Sequence, residues 1–164
     1  MTSLLILGFS GALIFAGASY DCSRDDVVKD LSTGLSWTKC SLGENISDCS
    51  GDPAEYKWED AISACETLVR SSRSDWRLPN IRELQSIVKI KATIETGDYT
   101  AVDGTVFPGM KIVDPGGFLP SSQYWSATTY IIADDQAWYI DFYYGNTTYR
   151  PKSDLKFVRC VAGP

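Results

Sequence analysis

Apolar residues three and four positions apart predict an amphipathic helix in the first half of the chain. They are Trp58, Ala61, Ile62, Cys65, Leu68 and Val69. Because an α-helix completes a turn every 3.6 residues, this spacing puts all of them on one face, which we expect to be buried. The polar residues 71–74 end the pattern.

A second helix is predicted to begin at Asn80. Asn80 and Glu83 have the spacing of a capping box, in which each side chain accepts a hydrogen bond from the backbone N–H of the other residue. The apolar residues that follow predict the buried face of this helix. They are Ile81, Leu84, Ile87 and Val88.

Alternation of residue types predicts strands on either side of the helices. Leu35 and Trp37 follow a Thr-Gly turn and favour one face of a short strand, and residues 155–161 predict a closing strand. In residues 138–143, apolar side chains alternate with polar or tyrosyl ones, which predicts one apolar and one polar-aromatic face. Residues 93–117 are rich in Gly, Pro and Asp and predict a long irregular loop. This order indicates an α+β fold with two helices packed on antiparallel strands.

The start of the chain is predicted to be an export signal. Residues 4–18 are uncharged and apolar, too short to span a bilayer as a helix, and end in the small residues Ala16-Gly17-Ala18. We therefore expect a signal peptide over residues 1–18, a linker over 19–29 and one domain over 30–164. An uncleaved anchor or a buried N-terminal helix is the alternative, because no Lys or Arg precedes the apolar run.

Export makes disulfides the expected use of the five cysteines. Cys40 and Cys49 flank a polar stretch typical of a loop, and we expect them to close it. A bridge between Cys65, on the first predicted helix, and Cys160, on the closing strand, would join the two ends of the domain. Cys22 then remains unpaired. A four-cysteine zinc site is the competing use, but the sequence contains no C-x-x-C pair.

Composition excludes several functional classes. The chain has no His, which removes Ser-His-Asp and Cys-His catalysis and every His-ligated zinc site. Its formal charge of −6 argues against nucleic-acid binding, which needs clustered Lys and Arg. No D-x-D-x-D-G loop is present, and nothing singles out a pair of catalytic carboxylates. We expect a non-enzymatic protein without metal or cofactor.

Most of the tryptophans are expected to fill the core, and two arginines to support it. The tryptophans are Trp37, Trp58, Trp125 and Trp138, whose large rings would bury much area in a small domain. Arg77 and Arg159 each adjoin apolar motifs, so we expect them to hold carboxylates or carbonyl groups.

The C-terminal strands contain the best candidate for a binding surface. Tyrosines and small polar residues alternate there, and recognition loops have the same composition because Tyr gives large contact area at low entropy cost. The competing interpretation is that Tyr and Thr simply favour strand surfaces. The candidate ligand-binding residues are Tyr130, Asp134, Asp135, Gln136, Tyr139, Asp141, Tyr143, Tyr144, Asn146, Tyr149 and Arg150.

A series of short motifs occurs in order along the chain. They are Thr33-Gly34-Leu35-x-Trp37, Ala64-Cys65, Asp75-Trp76-Arg77-Leu78-Pro79-Asn80-x-x-Glu83-Leu84, Val106-Phe107-Pro108, Tyr124-Trp125-Ser126, Ala137-Trp138-Tyr139-x-Asp141-Phe142 and Val158-Arg159-Cys160-Val161. Together they resemble the Lcl C-terminal domain-like family, a bacterial domain named after the end of a collagen-like adhesin.

The resemblance implies a C-type-lectin-like fold in an extracytoplasmic and sometimes adhesive bacterial protein. Cys65–Cys160 would then be the bridge between the helix and the last strand of that fold. The copper-binding cysteine pair of the related formylglycine-generating enzymes is absent, and so are the calcium motifs of the lectins. Neither activity is therefore carried over to this chain.

Together these observations predict an exported recognition or adhesion module, at the cell surface, extracellular or periplasmic, that binds a protein or glycan ligand. The alternative is a structural subunit of a surface filament, layer or envelope complex. Such a subunit would assemble through the N-terminal segment or through Cys22.

Overall fold

The structure, a computed structural model, describes residues 20–89, 101–112 and 121–164. It is α+β, as the sequence predicts, and all pairs between the strands are antiparallel. The predicted signal peptide, residues 1–18, lies outside the described residues. The elements in the described ranges are β1 (Tyr20–Asp21), β2 (Val27–Asp30), β3 (Ser36–Thr38), α1 (Trp58–Glu66), β4 (Trp76–Arg77), α2 (Ile81–Ser86), β5 (Gln123–Thr129), β6 (Gln136–Asp141), β7 (Asn146–Pro151) and β8 (Val161–Ala162).

The strands form two sheets. The first has the order β1-β2-β3-β8-β4, so the end of the chain lies between two strands from its first half. The second has the order β5-β6-β7. Residues 19–29, expected to be a linker, contribute β1 and most of β2, and Val27 and Val28 are buried in the core. The folded unit therefore begins earlier than residue 30.

The core covers both faces of β2, β5 and β6. Neighbouring residues of a strand point to opposite faces, and in each of these three strands two neighbouring residues are both buried. Val27, Trp125 and Tyr139 belong to one cluster, which includes Ala61 and Cys65 of α1. Their neighbours Val28, Tyr124 and Ile140 belong to a second cluster, which includes Leu84 of α2. The strands thus lie between two apolar layers.

Helix α1 is shorter than the apolar pattern predicts. It ends at Glu66, and Val69, expected on its buried face, is 73% exposed. The chain instead reverses direction in a tight turn, where Arg70 and Arg73 each donate a backbone N–H to the carbonyl of the other. Ser71 and Ser72 both have positive φ in this turn, a conformation that cannot continue a helix.

Helix α2 begins as predicted. The Asn80 side chain accepts hydrogen bonds from the backbone of Arg82 and Glu83, and Glu83 accepts one from the Asn80 N–H at 2.8 Å. The Glu83 carboxylate also accepts hydrogen bonds from both Nη atoms of Arg77, at 2.6 and 2.8 Å. The expectation that Arg77 holds a carboxylate is confirmed.

Both expected disulfides are present, Cys40–Cys49 and Cys65–Cys160. The second joins α1 to the residue before β8. Next to it, Arg159 is fully buried and donates from Nη1 to the carbonyl groups of Thr38, at 2.6 Å, and Lys39. Arg159 therefore holds carbonyl groups, as predicted.

The expectations for the tryptophans and the closing strand need correction. Trp37 and Trp125 are fully buried, but Trp58 and Trp138 are only half-buried, and Trp76 takes a place in the core instead. The closing strand is limited to β8, and Leu155, at the start of the predicted strand, is exposed. Within the described ranges, neither helix is long and apolar enough to cross a membrane.

Candidate functional site

The structure distributes the predicted site residues over three places in the second sheet. One group lies at the β5–β6 turn and the adjoining end of β7: Tyr130, Asp134, Asp135, Gln136, Tyr149 and Arg150. A second group lies at or beside the β6–β7 turn, at the opposite end of the sheet: Tyr143, Tyr144 and Asn146. Tyr139 and Asp141 are buried.

Two tyrosines of the first group meet a tryptophan outside it, and we call the three side chains the aromatic patch: Tyr130, Trp138 and Tyr149. The rings of Tyr130 and Tyr149 stack with centroids 3.7 Å apart and planes inclined by 8°. Trp138 contacts both edge to face, at 5.7 and 5.5 Å. This geometry explains why Trp138 is only half-buried: its ring supports the two tyrosines rather than filling the core.

Backbone pairing fixes the aromatic patch in place. Trp138 lies directly opposite Tyr149 in the β6–β7 ladder, so their side chains share one face of the sheet. The Tyr130 N–H donates to the Gln136 carbonyl at 2.9 Å and closes the β5–β6 turn. The Lys152 N–H donates to the Asp135 carbonyl at 2.8 Å and ties that turn to the end of β7. The rings are therefore held by ordered strands.

Two isoleucines in the β5–β6 turn extend the apolar surface beside the patch. Ile131 is 95% exposed and Ile132 is 79% exposed, although a turn is normally polar. They directly follow Tyr130 in the chain. Sequence reasoning missed them, as it missed Trp138. The available signal was an Ile-Ile pair between a tyrosine and the acidic residues Asp134 and Asp135.

Charged and polar groups border this apolar surface. Asp134, Asp135 and Arg150 are exposed, and Gln136 is partly exposed. The site thus combines an apolar centre with a polar margin, the arrangement found in protein recognition surfaces.

The second group forms a compact turn that is distinct from the patch. The Asp141 carboxylate accepts the backbone N–H groups of Ser122 and Tyr143, each at 2.9 Å, and so holds the β6–β7 turn closed. Gly145, at φ 72°, packs so closely that a Cβ there would lie 2.9 Å from the Cβ of Ala101. The rings of Tyr143 and Tyr144 meet edge to face at 4.7 Å. Asp141 has a structural role in this turn.

Tyr139 faces the core rather than solvent. Its ring packs edge to face on Trp125, at 6.2 Å, and Lys156 Nζ lies 4.1 Å from its centroid. Burial raises the pKa of Tyr139, against the hydrogen bond and charge of Arg150. The polar-aromatic face predicted for β6 is therefore wrong at Tyr139 and Asp141, because a second apolar layer covers that face.

Lys156 is a buried cation beneath this part of the sheet. Its Nζ donates to Gln123 Oε1 at 2.8 Å and also lies 4.9 Å from the Trp125 ring centroid. Burial lowers the pKa of Lys156 to about 8, while the nearby charge of Asp154 acts in the opposite direction. The aromatic rings and the Gln123 amide thus take the place of the water molecules that would hydrate the ammonium group of a surface lysine.

One group of residues with metal-ligand side chains comes together in the described part of the chain: Cys40, Glu44 and Cys49. The two sulfur atoms are joined in a disulfide and are therefore not available as thiolate ligands. Asp103, in the irregular loop predicted over residues 93–117, is ion-paired with Lys89. Burial would raise the pKa of Asp103, but hydrogen bonds from Lys89 and Thr105 outweigh it and hold the pKa at about 2.

A comparison with protein families matches residues 26–162 to the Lcl C-terminal domain. The match covers every described strand except β1, both helices and both disulfides. The chain belongs to this family. Membership suggests an extracellular domain, and the two disulfides of this Lcl C-terminal domain are consistent with an exported protein. No curated protein matches the chain.

Proposed function

We propose that this Lcl C-terminal domain is an exported, non-enzymatic recognition or adhesion module of a bacterial cell surface. It binds a protein or glycan ligand through the aromatic patch together with Ile131 and Ile132. The observation that carries this proposal is the stacked Tyr130–Tyr149 pair beside two isoleucines whose side chains are largely exposed to solvent.

The energetics of such a surface favour binding. Large exposed aliphatic side chains gain free energy when a ligand removes them from water, at about 25 cal/mol per Å² of apolar area. Rings already held by stacking lose little further rotational freedom when a ligand covers them, which lowers the entropy cost of binding. The margin formed by Asp134, Asp135, Gln136 and Arg150 then provides hydrogen bonds that select the ligand.

A catalytic role has less support. The sequence has no His, so proton transfer near neutral pH would depend on carboxylates, tyrosines or lysines with shifted pKa values. The buried members of these classes near the sheet are already engaged, since Asp141 holds two backbone N–H groups and Lys156 lies on two aromatic rings. A broad panel of glycoside, ester and peptide substrates should show no turnover, and reproducible turnover would contradict the proposal.

The architecture fits the C-type-lectin-like fold that the family resemblance implies. In support, two helices pack on antiparallel strands, and a disulfide joins α1 to the residue before the last strand. The β5–β7 sheet, which carries the aromatic patch, comes from the C-terminal region that holds the ligand face in such domains. A crystal structure compared with C-type-lectin-like domains tests this assignment.

The binding surface is tested by a screen followed by matched variants. Glycan arrays and immobilised host extracellular-matrix proteins provide the ligand. The double variant Ile131→Ser/Ile132→Ser and the single variant Tyr149→Ala should each weaken binding at least about tenfold. Leu155→Ser and Tyr144→Ala remove exposed apolar groups elsewhere and should leave binding unchanged. Equal binding by wild type and patch variants would overturn the site assignment.

A structural subunit is the second candidate, and the position of Cys22 favours it. Cys22 is exposed and not in a disulfide, and it directly follows β1, an edge strand of the first sheet. A thiol in this position is accessible to a second chain. Native material should then show a disulfide-linked species on a non-reducing gel that disappears in Cys22→Ser. Monomer alone would count against this candidate.

A further inference from the structure

Strand β7 forms one edge of the second sheet, and no described strand pairs with its outer side. It is six residues long and largely exposed. Natural edge strands are usually protected by charged side chains, bulges, prolines or short length. The register of β7 with β6 is continuous, and the residues of the protective kinds, Arg150 and Pro151, both lie at the C-terminal end of the strand, so residues 146–149 carry neither a charge nor a proline.

The hydrogen bonds of β6 determine which residues of β7 face outward. Phe142 donates its N–H to the Ser122 carbonyl, so the backbone of this residue points toward β5. Backbone direction alternates along a strand, so the residues of β6 that point toward β7 include Tyr139, which lies opposite Thr148. The residues on either side of Thr148 must then point away from β6. These are Thr147 and Tyr149, whose N–H and C=O groups have no backbone partner among the described residues.

This arrangement is self-complementary. If a second copy lies antiparallel with Thr148 opposite Thr148, then Thr147 of each copy lies opposite Tyr149 of the other. Both are outward-facing residues, and such a pair exchanges two N–H···O=C bonds, which gives about four backbone hydrogen bonds in all. A register shifted by one residue would place an outward-facing residue opposite an inward-facing one. The two neighbouring symmetric registers, centred on Thr147 or on Tyr149, would pair an outward-facing residue with Gly145, which lies outside β7, or with Pro151, which has no N–H. The register centred on Thr148 is therefore the favoured one.

The charges on β7 do not oppose a second copy at this edge. The strand contains no acidic residue, although the chain carries 21 Asp and Glu against 15 Lys and Arg. In the symmetric register Arg150 lies opposite the neutral Asn146, and the neutral Thr148 lies on the two-fold axis. No like charges face each other across the new ladder, which removes the usual penalty for such pairs.

We propose that two copies of the chain associate through β7, in antiparallel register about a two-fold axis at Thr148, and form a continuous six-stranded sheet. The pairing closes after two copies, since a two-fold interface uses the same edge on both. Tyr149 lies on this strand and shares a face with Trp138, so the two aromatic patches end up on one face of the joined sheet. The dimer would then present two binding surfaces together and raise avidity. The association does not depend on the proposed ligand.

Sedimentation velocity on the full chain tests this proposal. Cys22→Ser serves as the background, so that a disulfide cannot produce a dimer. Between about 1 µM and about 300 µM the sedimentation coefficient should rise toward that of a dimer. Thr148→Lys and Thr148→Glu each place like charges opposite each other and should weaken association about tenfold or more. An equimolar mixture of the two variants should restore a heterodimer.

Two further variants identify the edge itself. Thr147→Pro removes an outward-facing N–H that β6 does not use, so it should abolish association while circular dichroism shows the fold intact. Thr148→Ser keeps a neutral hydroxyl on the axis and should associate as the background chain does. A chain that stays monomeric at about 300 µM overturns the proposal. A dimer insensitive to Thr148→Lys, or a mixture that fails to associate, also overturns it.

Discussion

Tyr130 and Tyr149 stack face to face with their ring centroids 3.7 Å apart, although Tyr130 lies in the β5–β6 turn and Tyr149 lies on β7, with the β6–β7 hairpin turn between them in the chain. Aromatic pairs usually prefer offset or edge-to-face contacts, which Trp138 makes with both rings. A hydrogen bond with Tyr149 raises the pKa of Tyr130, and burial and the neighbouring charge of Tyr149 act in the same direction. The three rings therefore behave as one unit.

Loss of one ring should loosen the other two without unfolding the domain. Tyr149→Ala removes the stacking partner of Tyr130 and one edge contact of Trp138, so the Trp138 indole becomes more exposed. The Tm should fall by no more than about 3 °C, since both tyrosines lie outside the core. Near-ultraviolet circular dichroism and Trp fluorescence measure the change. Tyr144→Ala, at the other end of the sheet where its ring contacts that of Tyr143, is the control and should leave the Trp fluorescence unaltered.

The sequence was informative where a local pattern determines the structure. The capping box at Asn80 follows from two side chains three residues apart, and the structure contains both of its hydrogen bonds. The cysteines at positions 40 and 49 flank a short polar loop, and they are bonded. In these cases the interacting groups are near each other in the chain, so few alternatives compete.

Burial of strand residues could not be predicted in the same way. Alternation in β6 separates two faces but does not tell which face meets a second layer of core. Trp138 faces the two tyrosines instead of the core, because Tyr149 lies opposite it in the ladder. Tyr139 is buried because Trp125, opposite it in the β5–β6 ladder, and Lys156, which follows β7, both pack on its ring. These contacts depend on tertiary structure, which no short window of sequence contains.

The two disulfides should differ in their contribution to stability. Cys65–Cys160 joins residues 95 apart in the chain, and Cys40–Cys49 joins residues 9 apart. In the chain-entropy model a longer loop constrains the unfolded state more, which gives roughly 4.7 and roughly 2.6 kcal/mol. Urea unfolding of Cys65→Ser/Cys160→Ser and Cys40→Ser/Cys49→Ser measures both losses. A larger loss from the second pair would contradict the prediction.

The cap of α2 should contribute measurably because the helix is short. Asn80→Ala removes the side chain that accepts from the N–H groups of Arg82 and Glu83, and should cost about 1 kcal/mol of unfolding free energy. Asn80→Ser can still accept these hydrogen bonds and should lose much less. Arg82→Ala, an exposed change within the same helix, is expected to stay close to wild type. Equal losses from Asn80→Ala and Asn80→Ser would argue against a capping role.

The buried Lys156 should make the domain more stable as the pH rises above about 8. Burial lowers its pKa to about 8 in the folded state, whereas an unfolded lysine titrates near 10.5. Between these values the folded state binds fewer protons than the unfolded state, so the free energy of unfolding increases with pH. The slope approaches about 1.4 kcal/mol per pH unit for a single group. Below pH 8, Lys156 is protonated in both the folded and the unfolded state, so the full free-energy cost of burying its charge lowers the stability of the fold.

A matched variant isolates this effect from the other titrating groups. Lys156→Met keeps a long apolar stem against Trp125 and Tyr139 but carries no charge. In a Cys22→Ser background, urea unfolding at pH 7.5, 8.5 and 9.5 gives the difference in stability between the Lys and Met proteins. That difference should shift in favour of Lys156 as the pH rises, because only the lysine protein can release the proton. A difference that stays constant over this range would show that Lys156 keeps an ordinary pKa in the folded state.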